Sequence, residues 1–290
     1  MKAKGSALLV AAALALFATP AAAQFGGTCD RPMLEEVAGK YVKAQTEGMP
    51  LYLPMGNWVT YHENGKLSTM SQGVLSTPLK ISWHRALLDE SACRVFLQMT
   101  SHEGEKPYVI AVQFDVRGGN ASGFKVISTT QGDWLFDAKY TYEYARREDW
   151  PVIPEGRRNT RAELIAAADA YLDLFSDKSV VVPWGTPCAR LEGSVYTAKG
   201  TPEDSCNVGV PENIAMKDRS YVIDPMIGAV AVFLKMGPNE RPDSHTFRVE
   251  DGKIRFIHTV TNCGEDENCG FGPFKEMLAK NPGMHPEIKD

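Results

Sequence analysis

The sequence lacks long runs of positive charge, a second long hydrophobic segment and the linear motifs of several common enzyme classes. Lysine and arginine cluster no further than adjacent pairs, so a surface that follows nucleic acid phosphates is not expected. Beyond the N-terminal segment, no apolar run approaches the ~18 residues that cross a bilayer. The chain contains no Gly-x-Ser-x-Gly, His-Glu-x-x-His, Walker or Gly-x-Gly-x-x-Gly motif. These absences favour cofactor-free chemistry or plain binding, without nucleic acid or membrane partners.

A cleavable leader is predicted at the N-terminus. Lys2 and Lys4 precede an apolar run over residues 7–17, and three alanines at 21–23 form a small-residue cleavage site. Removing residues 1–23 takes two lysines away and changes the formal charge from −5 to −7. With 43% apolar and 23% charged residues, the chain can form a globular core. We expect a secreted protein, or a periplasmic one if the host is a bacterium.

Cysteine usage agrees with export. The chain has six cysteines, and an even number in an exported protein indicates disulfides. A zinc site is less expected because no Cys-x-x-Cys spacing occurs. The sequence does not fix the pairing, but we favour bonds between neighbours along the chain: Cys29–Cys93, Cys188–Cys206 and Cys263–Cys269.

The chain repeats one set of landmarks twice. The matching stretches are 34–41 with 164–171, Glu63 with Glu192, 85–89 with 220–224, 95–99 with 232–236, and 114–119 with 247–252. Each set is a helix followed by β-rich sequence, which predicts an α+β fold. Two prolines and a glycine mark residues 150–158 as a linker. We predict a first unit over 24–155, a second over 156–262, and a disulfide-tied C-terminal tail over 263–290.

The predicted strand over residues 229–234 is apolar on both faces. Such a strand lies in a sheet that is covered on both sides. Its own helix can cover one side, and either the other unit or a closed cone can cover the second. We therefore expect the two halves to pack on each other as an internal pseudo-dimer.

The helix ending at Tyr171, the segment Arg-Ser-Tyr-Val-Ile-Asp-Pro-Met-Ile-Gly-Ala-Val-Ala-Val-Phe at 219–233 and the terminal hairpin with Gly-Lys-Ile-Arg at 252–255 resemble the NTF2-like superfamily and its SnoaL-like members. The chain is most similar to an uncharacterised family of secreted, largely fungal proteins with two such units. The resemblance implies two tandem NTF2-like cone units, each a curved antiparallel sheet wrapped round a helix with a conical pocket. It implies no particular reaction, since this fold serves many activities.

The last hairpin is predicted to bring two histidines together. A two-residue Asp-Gly turn at 251–252 fixes antiparallel pairing, and counting outward from it places His245 opposite His258. Strand alternation puts both on the apolar face with Phe247 and Phe256. Two imidazoles ~5 Å apart on an apolar wall should not both be charged. We therefore expect at least one lowered histidine pKa.

Three roles are open for this histidine pair. It can be structural, with Asp243 or a backbone carbonyl accepting one N–H. It can act as acid and base on a substrate. It can also bind a metal, which would need a carboxylate such as Glu192 or Asp224. The aligned positions of the first unit are Val112 and Ser128, so any such site is expected in the second unit only.

A second set of candidate residues lies on one predicted strand. Arg190 and Glu192 are two residues apart and so project from the same face, flanked by Trp184 and Tyr196. An arginine, a carboxylate and two aromatic rings can line a pocket for an oxygenated aromatic ligand. The ordinary alternative is an ion pair on a rim beside aromatic core residues.

Two functional hypotheses follow from these residues. The first is a secreted lyase or isomerase that needs no cofactor and no metal, and acts on a small aromatic or polyketide-like molecule. In it, His245 and His258 are catalytic, and Arg190, Glu192, Trp184 and Tyr196 bind the substrate. The second is a non-catalytic extracellular module that binds an apolar ligand.

Overall fold

The computed structural model describes residues 29–272 together with Lys275, Glu276 and Ala279. The expected signal peptide and most of the expected tail beyond residue 272 lie outside these residues. Within the described part of the chain, no helix combines the length and hydrophobicity needed to span a membrane.

The first half consists of a helix and a six-stranded sheet. Helix α1 (Arg31–Glu47) begins where the Asp30 carboxylate accepts the Met33 N–H, and it ends at Gly48, whose φ of 63° is the left-handed conformation that glycine tolerates. The strands are β1 (Tyr61–Glu63), β2 (Lys66–Ser68), β3 (Trp83–Asp89), β4 (Arg94–Ser101), β5 (Tyr108–Arg117) and β6 (Asn120–Thr129). They lie in the order β2-β1-β6-β5-β4-β3. Helix α2 (Ala138–Ala145) then leads towards the second half.

The second half repeats this plan. Helix α3 (Arg161–Asp173) starts with a capping box, in which Thr160 and Glu163 bond to each other's backbone N–H groups. Its strands are β7 (Trp184–Glu192), β8 (Val195–Tyr196), β9 (Met216–Asp224), β10 (Ala229–Met236), β11 (Arg241–Glu250) and β12 (Lys253–Thr261). Their order is β8-β7-β12-β11-β10-β9. This is the strand order of the first half, with each strand replaced by its counterpart. The sequence repeat is therefore a repeat of topology. One landmark is corrected by two residues, because the strand pairings align 95–99 with 230–234 and not with 232–236.

Both sheets are mixed. The resemblance implies purely antiparallel sheets, but β1 runs parallel to β6, and β7 runs parallel to β12. The other pairings are antiparallel. In each half, the first strand after the long helix therefore lies parallel to the last strand of the same half. The architecture is α+β, with two six-stranded sheets and few helices.

Each sheet is covered on both faces, as the doubly apolar strand predicts. In β10, Val230 and Val232 pack in the cluster that contains α3, whereas Ala231 and Phe233 pack in a cluster with residues of the first half. There the Phe233 ring meets Phe96 edge-on at 6.2 Å. The two sheets thus share an apolar layer in addition to the core beneath each helix.

Two equivalent aspartates bond across the boundary between the halves. Asp89 of the first half ion-pairs with Arg161 at 2.6 Å, and Asp224 of the second half ion-pairs with Arg31 at 3.0 Å. Each arginine is the first residue of its helix. Each carboxylate also accepts a backbone N–H from the opposite half, from Ile223 at 2.9 Å and Leu88 at 3.1 Å respectively. The halves therefore exchange the same contact in both directions, as isologous subunits do.

Three disulfides join the pairs expected from the sequence. Cys29 bonds to Cys93, Cys188 to Cys206, and Cys263 to Cys269. No free cysteine remains in the described residues. The first bond ties the start of α1 to the β3–β4 turn, and the other two lie within the second half and its C-terminal loop.

The register of the last hairpin differs from the predicted one. The turn at 251–252 is tight, and Val249 faces Ile254 as expected. Beyond this pair the register shifts, so Arg248 faces Phe256 and the counting from the turn is off by one residue. The extra residue in β12 is a β-bulge. A shift of one residue turns every later side chain to the other face of the sheet.

Candidate functional site

His245 lies inside the second half, between its sheet and α3. Its side chain is 2% exposed, and the ring centroids of Tyr171 and Phe175 lie 5.6 and 6.1 Å away. Its Nδ1 is 2.7 Å from Oδ2 of Asp243, two residues earlier on β11. The other Asp243 oxygen accepts the Thr261 hydroxyl at 2.5 Å. His245 and Asp243 therefore form a buried ion pair on one face of the strand.

The charge state of His245 follows from these neighbours. Burial alone would lower its pKa, but the Asp243 carboxylate raises that pKa above the ordinary value, and Glu192 adds to the rise. Arg190 opposes it. The direction is opposite to the lowered pKa expected from two facing histidines. His245 thus keeps its proton to a higher pH than a free histidine does.

Arg190 and Glu192 share one face of β7, as their spacing predicts, and reach the same interior. Arg190 Nε lies 3.4 Å from Glu192 Oε1. The Tyr171 hydroxyl lies between them, 3.4 Å from Arg190 Nη1 and 3.5 Å from Glu192 Oε1. Burial alone would lower the pKa of Arg190, but Tyr171 and Glu192 together raise it. The guanidinium therefore stays charged in a buried position.

Arg190 and Glu192 line a small, partly open cavity of about 40 Å³. Arg190, Glu192, His245 and two threonines form its polar wall, and apolar groups form the rest. The cavity is large enough for about one water molecule, whose share of liquid volume is about 30 Å³. Four of its lining residues are partly exposed, and we call them the cover: Gly209, Pro211, Ile214 and Phe271.

Several polar atoms around this cavity have no hydrogen-bond partner among the described residues. They are Arg190 Nε, Thr259 Oγ1, His245 Nδ1 and Asp243 Oδ2. The last two are in ion-pair contact with each other, but outside hydrogen-bond geometry. Buried polar groups are nearly always satisfied in folded proteins, so unsatisfied ones beside a cavity indicate a missing partner. That partner can be water or a ligand.

His258 lies on the opposite face of its sheet and does not meet His245. Its Nδ1 is 2.9 Å from Gln98 Oε1 of the first half, and its Nε2 is 2.7 Å from Glu148 Oε2. The Trp150 ring packs edge-on against it at 5.6 Å. The prediction of a facing histidine pair is wrong because the bulge in β12 turns His258 towards the boundary between the halves. A shared acid–base or metal role for the two histidines is excluded by this geometry.

The other predicted residues are divided between several places. Tyr196 lies on the boundary side, stacked on Tyr144 at 4.9 Å, where burial and the Glu148 carboxylate raise its pKa. Trp184 packs edge-on against Tyr171 at 5.7 Å and borders an outer cleft of about 340 Å³. The predicted grouping of these two rings around Arg190 and Glu192 is therefore wrong. Tyr196 faces away because β8 presents alternate residues to opposite sides.

The two carboxylates named for a metal site lie apart, because Glu192 lines the cavity with His245 and Asp224 does not. Asp224 is bound to Arg31 at the boundary between the halves, away from the cavity. In the part of the chain that the structure describes, no group of three or more His, Cys, Asp or Glu side chains is arranged to hold a metal ion.

The first half has a different interior at the equivalent positions. The strand pairings place Val112 at the position of His245 and Ile110 at that of Asp243. The equivalent of His258 is Lys125, so the predicted equivalence with Ser128 is wrong. Two of these three first-half residues, Val112 and Ile110, belong to the core cluster beneath α1. The buried ion pair is a feature of the second half.

Asp243 was expected only in the structural alternative, as the acceptor of a histidine N–H, and Tyr171 was not expected in the site, although the sequence carries a signal for each. Asp243 precedes His245 by two residues, so strand alternation places both on one face. Tyr171 is the end of the repeated helix landmark. Glu148, which binds His258, has no such signal, because it lies in a coil and reaches its partner only through the packing of the two halves.

The comparisons with known proteins bear on the second half. The sequence model of a family described as a domain of unknown function (DUF8021) matches residues 157–261. This segment begins just before α3 and ends with β12, so it spans one complete repeat unit, the one that contains the cavity. No curated protein and no solved structure matches the chain.

Proposed function

We propose that the second half binds a small molecule between its sheet and α3, with Arg190, Glu192 and His245 as the polar wall. We further propose that each half is an NTF2-like cone unit, and that the protein acts outside the cytoplasm. One observation carries the binding proposal. Charged groups surround a cavity in one half, whereas Val112 and Ile110 occupy the positions of His245 and Asp243 in the other.

The energetic cost of these groups supports a functional role. Burying an ionised side chain costs several kcal/mol per ion, and a well-packed apolar pair is often as stable as a buried ion pair. The first half shows that the same topology also forms with apolar residues at these positions. The charged residues at the equivalent positions of the second half are explained if they bind a ligand.

Ligand entry requires the cover of the cavity to move, because drug-sized ligands occupy about 300–1,000 Å³. Residues 209–214 are suited to this. The outer cleft of about 340 Å³ lies on the far side of Gly209. The exposed Lys178 ammonium bonds to the carbonyls of Val210 at 2.9 Å and Pro211 at 2.7 Å. An outward movement of this segment would break these two exposed bonds, the bond from the Ile214 N–H to the Phe175 carbonyl at 3.0 Å, and the packing of Val210 and Ile214 against the core.

The chemistry that fits these groups is the elimination of water. Protonated His245 donates its proton to a substrate hydroxyl, the C–O bond breaks, and water leaves. Glu192 removes the proton from the neighbouring carbon, so a C=C bond forms, and solvent then carries this proton back to His245. Asp243 positions the imidazole through Nδ1, which leaves Nε2 for the substrate. The reaction needs no cofactor.

A non-catalytic binding module is the second candidate. The observation in its favour is the apolar cover, in which Pro211, Ile214 and Phe271 would contact a ligand without taking part in proton transfer. In this case His245 and Arg190 only orient the polar end of the ligand.

Native mass spectrometry of the purified protein tests binding. We expect a small molecule to be retained by the wild-type protein and by Glu63→Gln, and to be lost from Glu192→Gln. Glu63 is the matched control because it occupies the equivalent position of the first half. Equal retention by both variants would locate the ligand elsewhere and contradict the proposal.

Turnover is tested with the host's own metabolites. Untargeted mass spectrometry of an extract incubated with the wild-type protein should show a species that loses one water, and His245→Gln should abolish this change. If His245→Gln binds the retained molecule normally and no species changes with the wild-type protein, the binding module is the correct function.

A further inference from the structure

We propose that the ligand of the second-half cavity is electrically neutral and carries a hydroxyl or carbonyl group at its polar end. This inference rests on the function proposed above and specifies its substrate class. It derives from the balance of charges around the cavity.

The ionised groups at the cavity compensate one another. Arg190 lies 3.4 Å from Glu192, and His245 lies 2.7 Å from Asp243. Two positive and two negative groups leave no net charge. A further cation, Lys178, is exposed and bonds to the carbonyls of Val210 and Pro211. No excess charge is therefore available for an ionised ligand.

An ionised ligand would leave one buried charge uncompensated, which is costly away from water. A neutral oxygen group avoids this cost and matches the unpartnered atoms. Arg190 Nε can only donate, and the Thr259 hydroxyl can donate or accept. A ligand hydroxyl can accept from the first and donate to the second. A carbonyl can accept from either.

Three probes of nearly equal shape test the inference: benzyl alcohol, benzoate and benzylamine. In titrations followed by ligand-observed NMR, the wild-type protein should bind benzyl alcohol, and bind the two ions at least about tenfold more weakly. Glu192→Gln gives the cavity a net positive charge, so it should reverse the preference towards benzoate. Arg190→Gln gives a net negative charge and should favour benzylamine.

The matched control is Glu63→Gln, which makes the same change in the first half and should leave the preference of the wild-type protein unaltered. The two cavity variants test the inference independently, so one that fails to fold leaves the other informative. If the wild-type protein binds benzoate or benzylamine as tightly as benzyl alcohol, the inference of a neutral ligand is wrong, whereas the proposed function is unaffected. If none of the three probes binds saturably to the wild-type protein, the proposed function and this inference are both wrong.

Discussion

The two halves of the chain share one strand order and differ in what fills the space between sheet and helix. In the first half, the rings of Tyr41, Phe114 and Phe124 pack against one another with centroids 5.2–6.1 Å apart. In the second half, Tyr171 and Phe247 repeat the Tyr41–Phe114 contact at 5.5 Å, and beside them lie the His245–Asp243 pair and a cavity. The common topology therefore does not require charged groups, and their presence in one half needs a separate explanation.

The equivalent glutamates show the same contrast. Glu63 of the first half accepts hydrogen bonds from the Tyr61 hydroxyl at 2.9 Å, the Val74 N–H at 2.8 Å and the Ser128 hydroxyl at 2.7 Å. Glu192 of the second half has longer contacts, at 3.4 Å to Arg190 and 3.5 Å to Tyr171. The first carboxylate is fixed by the fold, whereas the second has loose partners. A loosely bonded carboxylate can exchange them for a ligand.

The largest predicted effect comes from breaking the buried ion pair. Asp243→Ala removes the carboxylate and leaves the His245 proton uncompensated, so it should lower the free energy of unfolding by about 3–5 kcal/mol. The control is Ile110→Val at the equivalent position of the first half, which should cost about 0.5–1.5 kcal/mol. Urea denaturation of both variants measures the difference. Equal losses would mean that His245 is neutral in the folded protein.

Replacing the pair as a whole should cost far less stability than breaking it. Asp243→Ile combined with His245→Val introduces the residues of the first half, and such a replacement is often neutral or stabilising by about 1–4 kcal/mol. The same double variant should lose the retained ligand in native mass spectrometry. A protein that is stable and still binds would show that the pair has no part in the site.

The comparison of the halves also shows what the sequence could predict. The repeat follows from landmarks that both units share. The cysteine pairing was left open by the sequence, and the favoured pairing of neighbours is confirmed. The register of the last hairpin does not follow from its turn alone. The equivalent hairpin of the first half also has a register shift, and Gly123 lies in it with a φ of 62°. Because the two hairpins are equivalent, this glycine in the first half is the sequence signal for a bulge in both.

In the candidate site as well, some residues could be placed from the sequence and others could not. Arg190 and Glu192 were placed correctly on one face because alternation within a strand is a local property. His258 was placed on the wrong face because the bulge shifts the strand register by one residue, and this shift persists along the rest of β12. Its contact with Glu148 depends on how two halves of the chain meet, and no local pattern contains that information.

A smaller effect concerns pH, since only the second half has a buried histidine at this position. Asp243 raises the pKa of His245 in the folded protein, with Glu192 in support and Arg190 opposed. Its stabilising contribution is therefore fully present below the unfolded value of about 6.5, and it is lost as pH rises through the higher folded value. Denaturation of wild-type protein and His245→Gln at several pH values measures it. We expect the difference in unfolding free energy between them to shrink as pH rises, and a constant difference would refute this assignment.

The smallest predicted effect distinguishes the two equivalent helix tyrosines. The Tyr41 hydroxyl is buried and has no hydrogen-bond partner among the described residues, so Tyr41→Phe removes an unsatisfied group and should leave the free energy of unfolding unchanged or slightly raised. The Tyr171 hydroxyl contacts Arg190 and Glu192, so Tyr171→Phe should lose about 0.5–1.5 kcal/mol. Denaturation curves of the two variants, recorded under the same conditions, provide the comparison. Equal destabilisation would mean that the Tyr41 hydroxyl is bonded within the first half, and that the interiors of the two halves are more alike than their side chains indicate.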